Sequence, residues 1–166
     1  MQIYLLTSAV IFIASMIAGL AGFGAMIISV PLLTMFLDIK TVVPLTILAS
    51  LSIHSLILVQ IHRHFEFDKI QPLLIGALPG IVIGVVLLKY TNKEILQIIL
   101  GVTLILYSAY GFVFRGNSFN IKKNWAYLFG FLSGYLGGAI GAGGPPVIVY
   151  TSLRPWTKDL IKATLQ

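Results

Sequence analysis

The sequence predicts an all-α, polytopic transmembrane protein. Three observations predict it. Apolar runs of bilayer-crossing length recur along the chain, charged residues are confined to the short breaks between them, and two of the runs are over-long and interrupted by Gly and Pro. Of 166 residues, 58% are hydrophobic and 10% charged, against about 25% charged in an average soluble domain. Mean hydropathy is +0.99. A water-soluble chain this short keeps a large share of its surface exposed and could not hide so much apolar area. Lipid as the solvent removes the problem.

A bilayer core takes about 20 apolar residues per helix. The first run, Ile3 to Leu37, carries no charge and is too long for one simple span. Gly19, Gly22 and Gly24 lie near its middle, Pro31 follows, and Asp38-Ile39-Lys40 closes it. No basic residue precedes it and its apolar character outlasts a signal-peptide core, so it reads as a retained membrane segment. The second run spans Val42 to Ile61 and ends in the polar break His62 to Lys69. The third, Ile70 to Leu88, is closed by Lys89 to Glu94. The fourth, Ile95 to Phe114, is followed by the loop Arg115 to Lys123. The fifth, Trp125 to Leu153, is again charge-free and over-long. Its middle holds Gly134, Gly137, Gly138, Gly141, Gly143, Gly144, Pro145 and Pro146.

The two broken runs align. Displacing the sequence by 119 positions lays Gly19, Gly22 and Gly24 on Gly138, Gly141 and Gly143, with Phe12 on Phe131 and Ile13 on Leu132. Paired Gly/Pro-interrupted segments in corresponding places are the best sequence pointer to a transporter's binding site. Residues 1–118 then form a first transmembrane repeat of about four apolar segments. Residues 119–166 begin a second, incomplete one. The expectation is a truncated second unit, or copies that complete one another as a homo-oligomer. Full crossing by the broken runs would make the halves parallel, whereas re-entry would make them inverted. Basic residues divide evenly between the sides under full crossing, so the positive-inside rule does not decide.

The net charge of +6 sits at span ends, where Lys and Arg match anionic headgroups, so lipid and not nucleic acid is the expected partner. With no cysteine in the chain, disulfides, thiolate metal sites and thiol catalysis are excluded. There are no paired carboxylates, no nucleophile with a base and acid in a recognisable pattern, and no phosphate-binding loop. No enzyme, cofactor or metal is expected. His62 and His64 are two residues apart and would not share a helix face, so they read as a solvated loop with Arg63.

Gly19-Leu20-Ala21-Gly22-Phe23-Gly24 followed by Pro31-Leu32-Leu33, and Gly137-Gly138-Ala139-Ile140-Gly141-Ala142-Gly143-Gly144-Pro145-Pro146 followed by Tyr150, resemble the two broken segments of the sulfite exporter TauE/SafE family. The resemblance covers the whole chain in order. It implies a multi-pass protein of a cell membrane, typically the cytoplasmic membrane of a prokaryote. It also implies secondary transport of small sulfur-containing anions such as sulfite or sulfonates. Members are typically longer, so the resemblance implies a further third that this sequence does not include.

The candidate substrate-binding residues are Gly19, Gly22, Phe23, Gly24, Pro31, Gly138, Gly141, Gly143, Gly144, Pro145, Pro146 and Tyr150. A helix that restarts inside the membrane presents free N–H groups and the positive end of its dipole, an anion site that needs no charged side chain. Glycine lets a solute approach the backbone, and Pro suits the first turn of the new half-helix. A side chain at Gly143 would fill that approach. Tyr150, one turn on, is placed there by the family resemblance. The competing reading of small residues at helical spacing is tight helix packing. It is preferred for the row Gly76, Gly80, Gly84, and it fits Gly130 with Gly134 and Gly137 with Gly141. Ser29, Thr34, Thr46, Ser50 and Ser52 read first as helix hydrogen-bonding groups. His54, one turn from Ser50, is the titratable residue inside a span and the candidate for proton coupling. The rival function is a non-transporting membrane scaffold that assembles through its Gly-rich helix faces.

Overall fold

The computed structural model describes residues 7–14, 16, 25–61, 67–113, 121–156 and 158–165. Among them there is no strand. Seven helices follow one another: α1 (Ala25–Thr34), α2 (Ile39–Ile61), α3 (Phe67–Tyr90), α4 (Lys93–Val113), α5 (Trp125–Ile140), α6 (Gly144–Ser152) and α7 (Lys158–Leu165). Residues 7–14 are also helical. The all-α expectation holds. Gly19, Gly22, Phe23, Gly24, the His62 to Glu66 break and the side chain of His54 lie outside the described residues.

Among the described residues two helices are long and apolar enough to cross a membrane, Phe67–Tyr90 with 24 residues and Lys93–Phe112 with 20. At 1.5 Å per residue the first is about 36 Å long, more than a hydrocarbon core of about 30 Å. Their outer faces are apolar and uncovered. Phe112 is 88% exposed, and Leu78, Val82, Ile98, Ile105 and Leu106 are exposed as well. Water would penalise such a surface, and lipid does not.

The ends of the helices are set by local chemistry. Asp38 caps α2: its Oδ1 accepts the Lys40 N–H at 2.8 Å, while its carbonyl accepts Thr41 and Val42, as an N-cap aspartate does. Only Thr91 and Asn92 separate α3 from α4, and so short a link forces the two to run antiparallel. Asn92 begins α4 by accepting the Leu96 N–H at 3.2 Å. α5 ends at Gly141, whose φ of 72° is left-handed. The Gly141 N–H reaches the Gly137 carbonyl and the Ala142 N–H reaches that of Leu136, the Schellman ending that glycine permits. Pro145 and Pro146 then open α6, where a missing N–H costs nothing.

The main packing element is a glycine seam between α3 and α5. A Cβ added to Gly76, Gly80 or Gly84 would collide with the carbonyls of Tyr127, Phe131 and Tyr135. One added to Gly130, Gly134 or Gly138 would collide with those of Leu73, Ala77 and Ile81. The partners rise in steps of four on both helices, so α3 and α5 run parallel. With α4 returning in the chain from the end of α3 to the start of α5, Lys89 marks one end of the molecule and Trp125 the other. Cα–H groups facing carbonyls in this way recur at close helix interfaces. The packing preference expected for Gly76, Gly80 and Gly84 is what the structure contains. The opposing row is Gly130, Gly134 and Gly138, with Gly141 reserved for the turn.

The core has two parts. Val30, Leu33, Ile39, Val42, Val43, Leu96, Leu100, Ala139, Ile140 and Ala142 form one, where α1, α2 and α4 meet the tip of α5. Leu73, Ala126 and Tyr150 form the other at the Trp125 end.

Candidate solute-binding site

α6 folds back along α5. The Ser133 hydroxyl donates to the Gly143 carbonyl at 2.7 Å. Further down, the Phe129 and Tyr150 rings are 5.7 Å apart, and Arg154 donates through a terminal guanidinium nitrogen to the Ile121 carbonyl at 2.7 Å. Residues later in α6 thus meet residues earlier in α5, which defines a helical hairpin. Its two feet, Ile121 to Trp125 and Arg154 to Trp156, stand at the same end of the molecule.

α1 approaches from the other end. It ends at Thr34, and the next helix opens with Ile39 and Lys40, whose ammonium donates to the Lys89 carbonyl at 3.1 Å. Its first turn lies at the hairpin tip. A Cβ on Gly144 would meet Ile27 Cδ1 at 3.7 Å, and one on Gly141 would meet Val30 Cγ2 at 3.1 Å. The first described turn of α1 and the amino end of α6 therefore meet, the two helices leaving toward opposite ends of the molecule. The amino end of α6 carries about half a positive charge from its dipole.

Between them lies a cavity of about 500 Å³. Met26 and Ile27 of α1, Ile47 of α2, Ala77, Ile81 and Val85 of α3, and Leu165 of α7 supply its apolar walls. Ser133, Gly134, Gly137, Gly138, Gly141, Gly143 and Gly144 supply the rest. The volume is typical of a small-molecule site, which spans roughly 300–1,000 Å³.

Of the residues expected at a solute site, the structure brings Gly138, Gly141, Gly143 and Gly144 to this cavity. Gly138 also belongs to the seam with α3. Pro145 and Pro146 are buried directly behind the opening of α6. Tyr150 lies beyond the cavity lining and is fully buried among Phe129, Trp156 and Arg154. Pro31 lines a separate, shallower groove of about 320 Å³ with Thr34, Met35, Gln97, Leu100, Gly101 and Leu104.

The hydroxyls along α1 and α2 are mostly helix back-bonds. Thr34 donates to Pro31 O at 2.9 Å and Thr46 to Val42 O at 2.9 Å. Ser52 lies 3.5 Å from Leu48 O, while Ser29 and Ser50 are buried. Ser133 escaped the sequence reading. Its signal is a lone hydroxyl inside a glycine-rich apolar helix, one position before Gly134. The apolar walls from α3 also escaped it, because nothing in an apolar span marks which face meets a cavity.

Gly143 is held by its own hairpin. An added Cβ would lie 2.9 Å from Ser133 O and 3.3 Å from Gly137 Cα. Gly144 is the freer of the two, and a side chain there would project toward Ile27 and the cavity.

No curated protein and no solved structure matches the chain. The family model described as sulfite exporter TauE/SafE matches residues 7–165, a stretch that contains both arms of the site. By that match, which spans nearly the whole sequence, the chain belongs to the TauE/SafE sulfite exporter family of membrane transporters.

Proposed function

We propose that the chain is a secondary transporter of small anions in a cell membrane, the cytoplasmic membrane of a prokaryote. Sulfite, sulfonates and related sulfur oxyanions are the solute class its family points to. The observation that carries the reading is the meeting of the first described turn of α1 with the amino end of α6 at one cavity. Half-helix amino ends aimed at a midplane site are how transporters hold anionic groups without burying a cation. A hairpin entering from one end and a broken segment entering from the other also favour the inverted arrangement of the two sequence units. Rocking one unit against the other would then expose the cavity to each side in turn.

The scaffold reading has less support. It needs glycine faces free for partners, whereas the rows of α3 and α5 are occupied by one another. Substituting Gly144→Val in the gene product, reconstituted into liposomes, should slow sulfite flux at least about tenfold. Helix content and the elution profile in detergent should stay unchanged. Flux at the unsubstituted rate would place the solute elsewhere.

A further inference from the structure

We infer that the Trp125 end of the molecule faces the cytoplasm, where its lysines and arginines meet the anionic headgroups of the inner leaflet. This sidedness goes beyond the transport reading and does not depend on it.

Basic residues divide evenly between the two sides only if the fifth apolar run crosses the membrane. The hairpin of α5 and α6 returns instead. It brings Arg154 back to the end where α5 begins, bonded to the Ile121 carbonyl at 2.7 Å. Lys158 opens α7 four residues further on, so the chain keeps it within about 14 Å of Arg154. Lys122 and Lys123 form the turn that starts α5, their carbonyls accepting the N–H groups of Trp125 and Ala126. Both lysines are exposed. Lys69 stands on the first turn of α3, one turn before Leu73, whose carbonyl faces Gly130. The last turns of α4 reach the same foot, where Tyr110 shares a hydrogen bond with Ser152. Arg115 follows Val113 by two residues and Arg63 precedes Phe67 by four. Chain length alone holds both at this end, since four residues reach about 14 Å at most and α3 sets Lys89 about 33 Å from Phe67.

The opposite end holds Lys40, Lys89 and Lys93. Of the eleven Lys and Arg in the chain, seven therefore gather at the Trp125 end and three at the other. Lys162, within α7, would raise the second figure to four and leave the order unchanged. An anionic inner leaflet and the bias of Lys and Arg near span ends both hold the richer side in the cytoplasm. The hairpin that carries Gly143 and Gly144 then has its feet in the cytoplasm, and the α1 arm reaches the cavity from the outer side.

Asn92→Cys and Asn124→Cys mark the two ends without changing the charge, in a chain that has no cysteine. In intact cells an impermeant maleimide should label Asn92→Cys, and should reach Asn124→Cys only after the membrane is opened. The reverse pattern, or labelling of both or of neither in intact cells, would overturn the inference. Both positions are exposed, so a cysteine that stays unlabelled even in detergent contradicts the surface on which the inference rests. The two tryptophans of the chain, Trp125 and Trp156, both stand at this end, so their fluorescence reads it alone. With the gene product reconstituted in vesicles, brominated phosphatidylglycerol should quench them at least about twofold more than the same fraction of brominated phosphatidylcholine. Lys122→Gln combined with Lys123→Gln should narrow that difference. Equal quenching by the two lipids, or an unaltered difference in the double variant, would refute the headgroup contact. A protein that moves no anion can still meet both expectations, so failure of the transport reading stays distinct from failure of this one.

Discussion

Replacing Gly80 by alanine adds one methyl group at the centre of the α3–α5 seam. That methyl would fall inside the carbonyl oxygen of Phe131 and lie 2.9 Å from the Tyr135 nitrogen. Both obstacles are backbone, so no rotamer change relieves them and the helices must part by roughly 1 Å, since carbon contacts are comfortable near 3.5–4.0 Å. A gap of that size forfeits up to about half of the dispersion energy of each atom pair it opens. Because the seam repeats over three glycines per helix, the loss extends along it. Overpacking of a well-fitted core costs about 1–3 kcal/mol, and the better helix propensity of alanine returns at most about 1 kcal/mol. The net expectation is a loss of up to about 2 kcal/mol. Gly101 and Gly111 on α4 supply the control, because a Cβ at either meets nothing within 4 Å. Alanine there should leave stability unchanged or raise it. The assay is thermal unfolding in detergent, followed by tryptophan fluorescence and helix content. If Gly80→Ala melts no lower than Gly101→Ala, the seam is not the close-packed contact described here.

Three further expectations follow from the hairpin. Gly141→Ala forces a side chain into a left-handed φ of 72° and to 3.1 Å from Val30 Cγ2. It should cost about 1–2 kcal/mol in thermal unfolding, with asparagine recovering part of the loss; equal stability would argue against the turn. The chain has no cysteine, so single cysteines report sidedness cleanly. Lys123→Cys and Ser152→Cys should react with an impermeant thiol reagent from one side of the membrane, and Lys93→Cys from the other. Labelling of Ser152→Cys together with Lys93→Cys would mean that α6 crosses instead of returning. Arg154→Ala removes the 2.7 Å bond that ties the foot of α6 to Ile121. It should destabilise by about 1.5–3 kcal/mol, the range for a hydrogen bond to a charged group, and expose Trp156 to acrylamide quenching. Unaltered quenching would show that the foot is held by ring packing alone.

Much of this architecture is legible in the sequence, because lipid imposes few rules and the chain obeys them plainly. Charges mark the ends of α3 at Asp68 and Lys89, and Asp38 announces its own cap. The break at Gly141 to Pro146 is visible as glycine followed by proline, each suited to one side of a helix ending. Spacing in glycine-rich helices is harder to read. Gly130, Gly134 and Gly138 share one stripe of α5, and Gly137 and Gly141 form a second at the same four-residue spacing. Either could face α3. The structure uses the first, since only that stripe continues without interruption to the end of the helix, while Gly141 must leave helical geometry to close the turn. Tyr150 is a comparable case. One turn past a proline pair is close along the chain, but the ring is drawn toward the aromatic group formed by Phe129 and Trp156 at the hairpin's foot.

Glycine therefore plays three physically different parts within one stretch of α5 and α6, and the distinction bears on function. At Gly134 its lack of a side chain lets a neighbouring backbone come close. At Gly141 its tolerance of positive φ turns the chain. At Gly144 no neighbouring helix and no positive φ requires it, since beyond its chain neighbours an added Cβ would reach only an Ile27 methyl group at ordinary contact distance. A glycine that no neighbouring helix demands, at the amino end of a half-helix and on the wall of a cavity, is placed where a solute would need room. Substitution should accordingly separate the three. Changes at Gly134 and Gly141 should lower stability and flux together, whereas changes at Gly144 should lower flux alone.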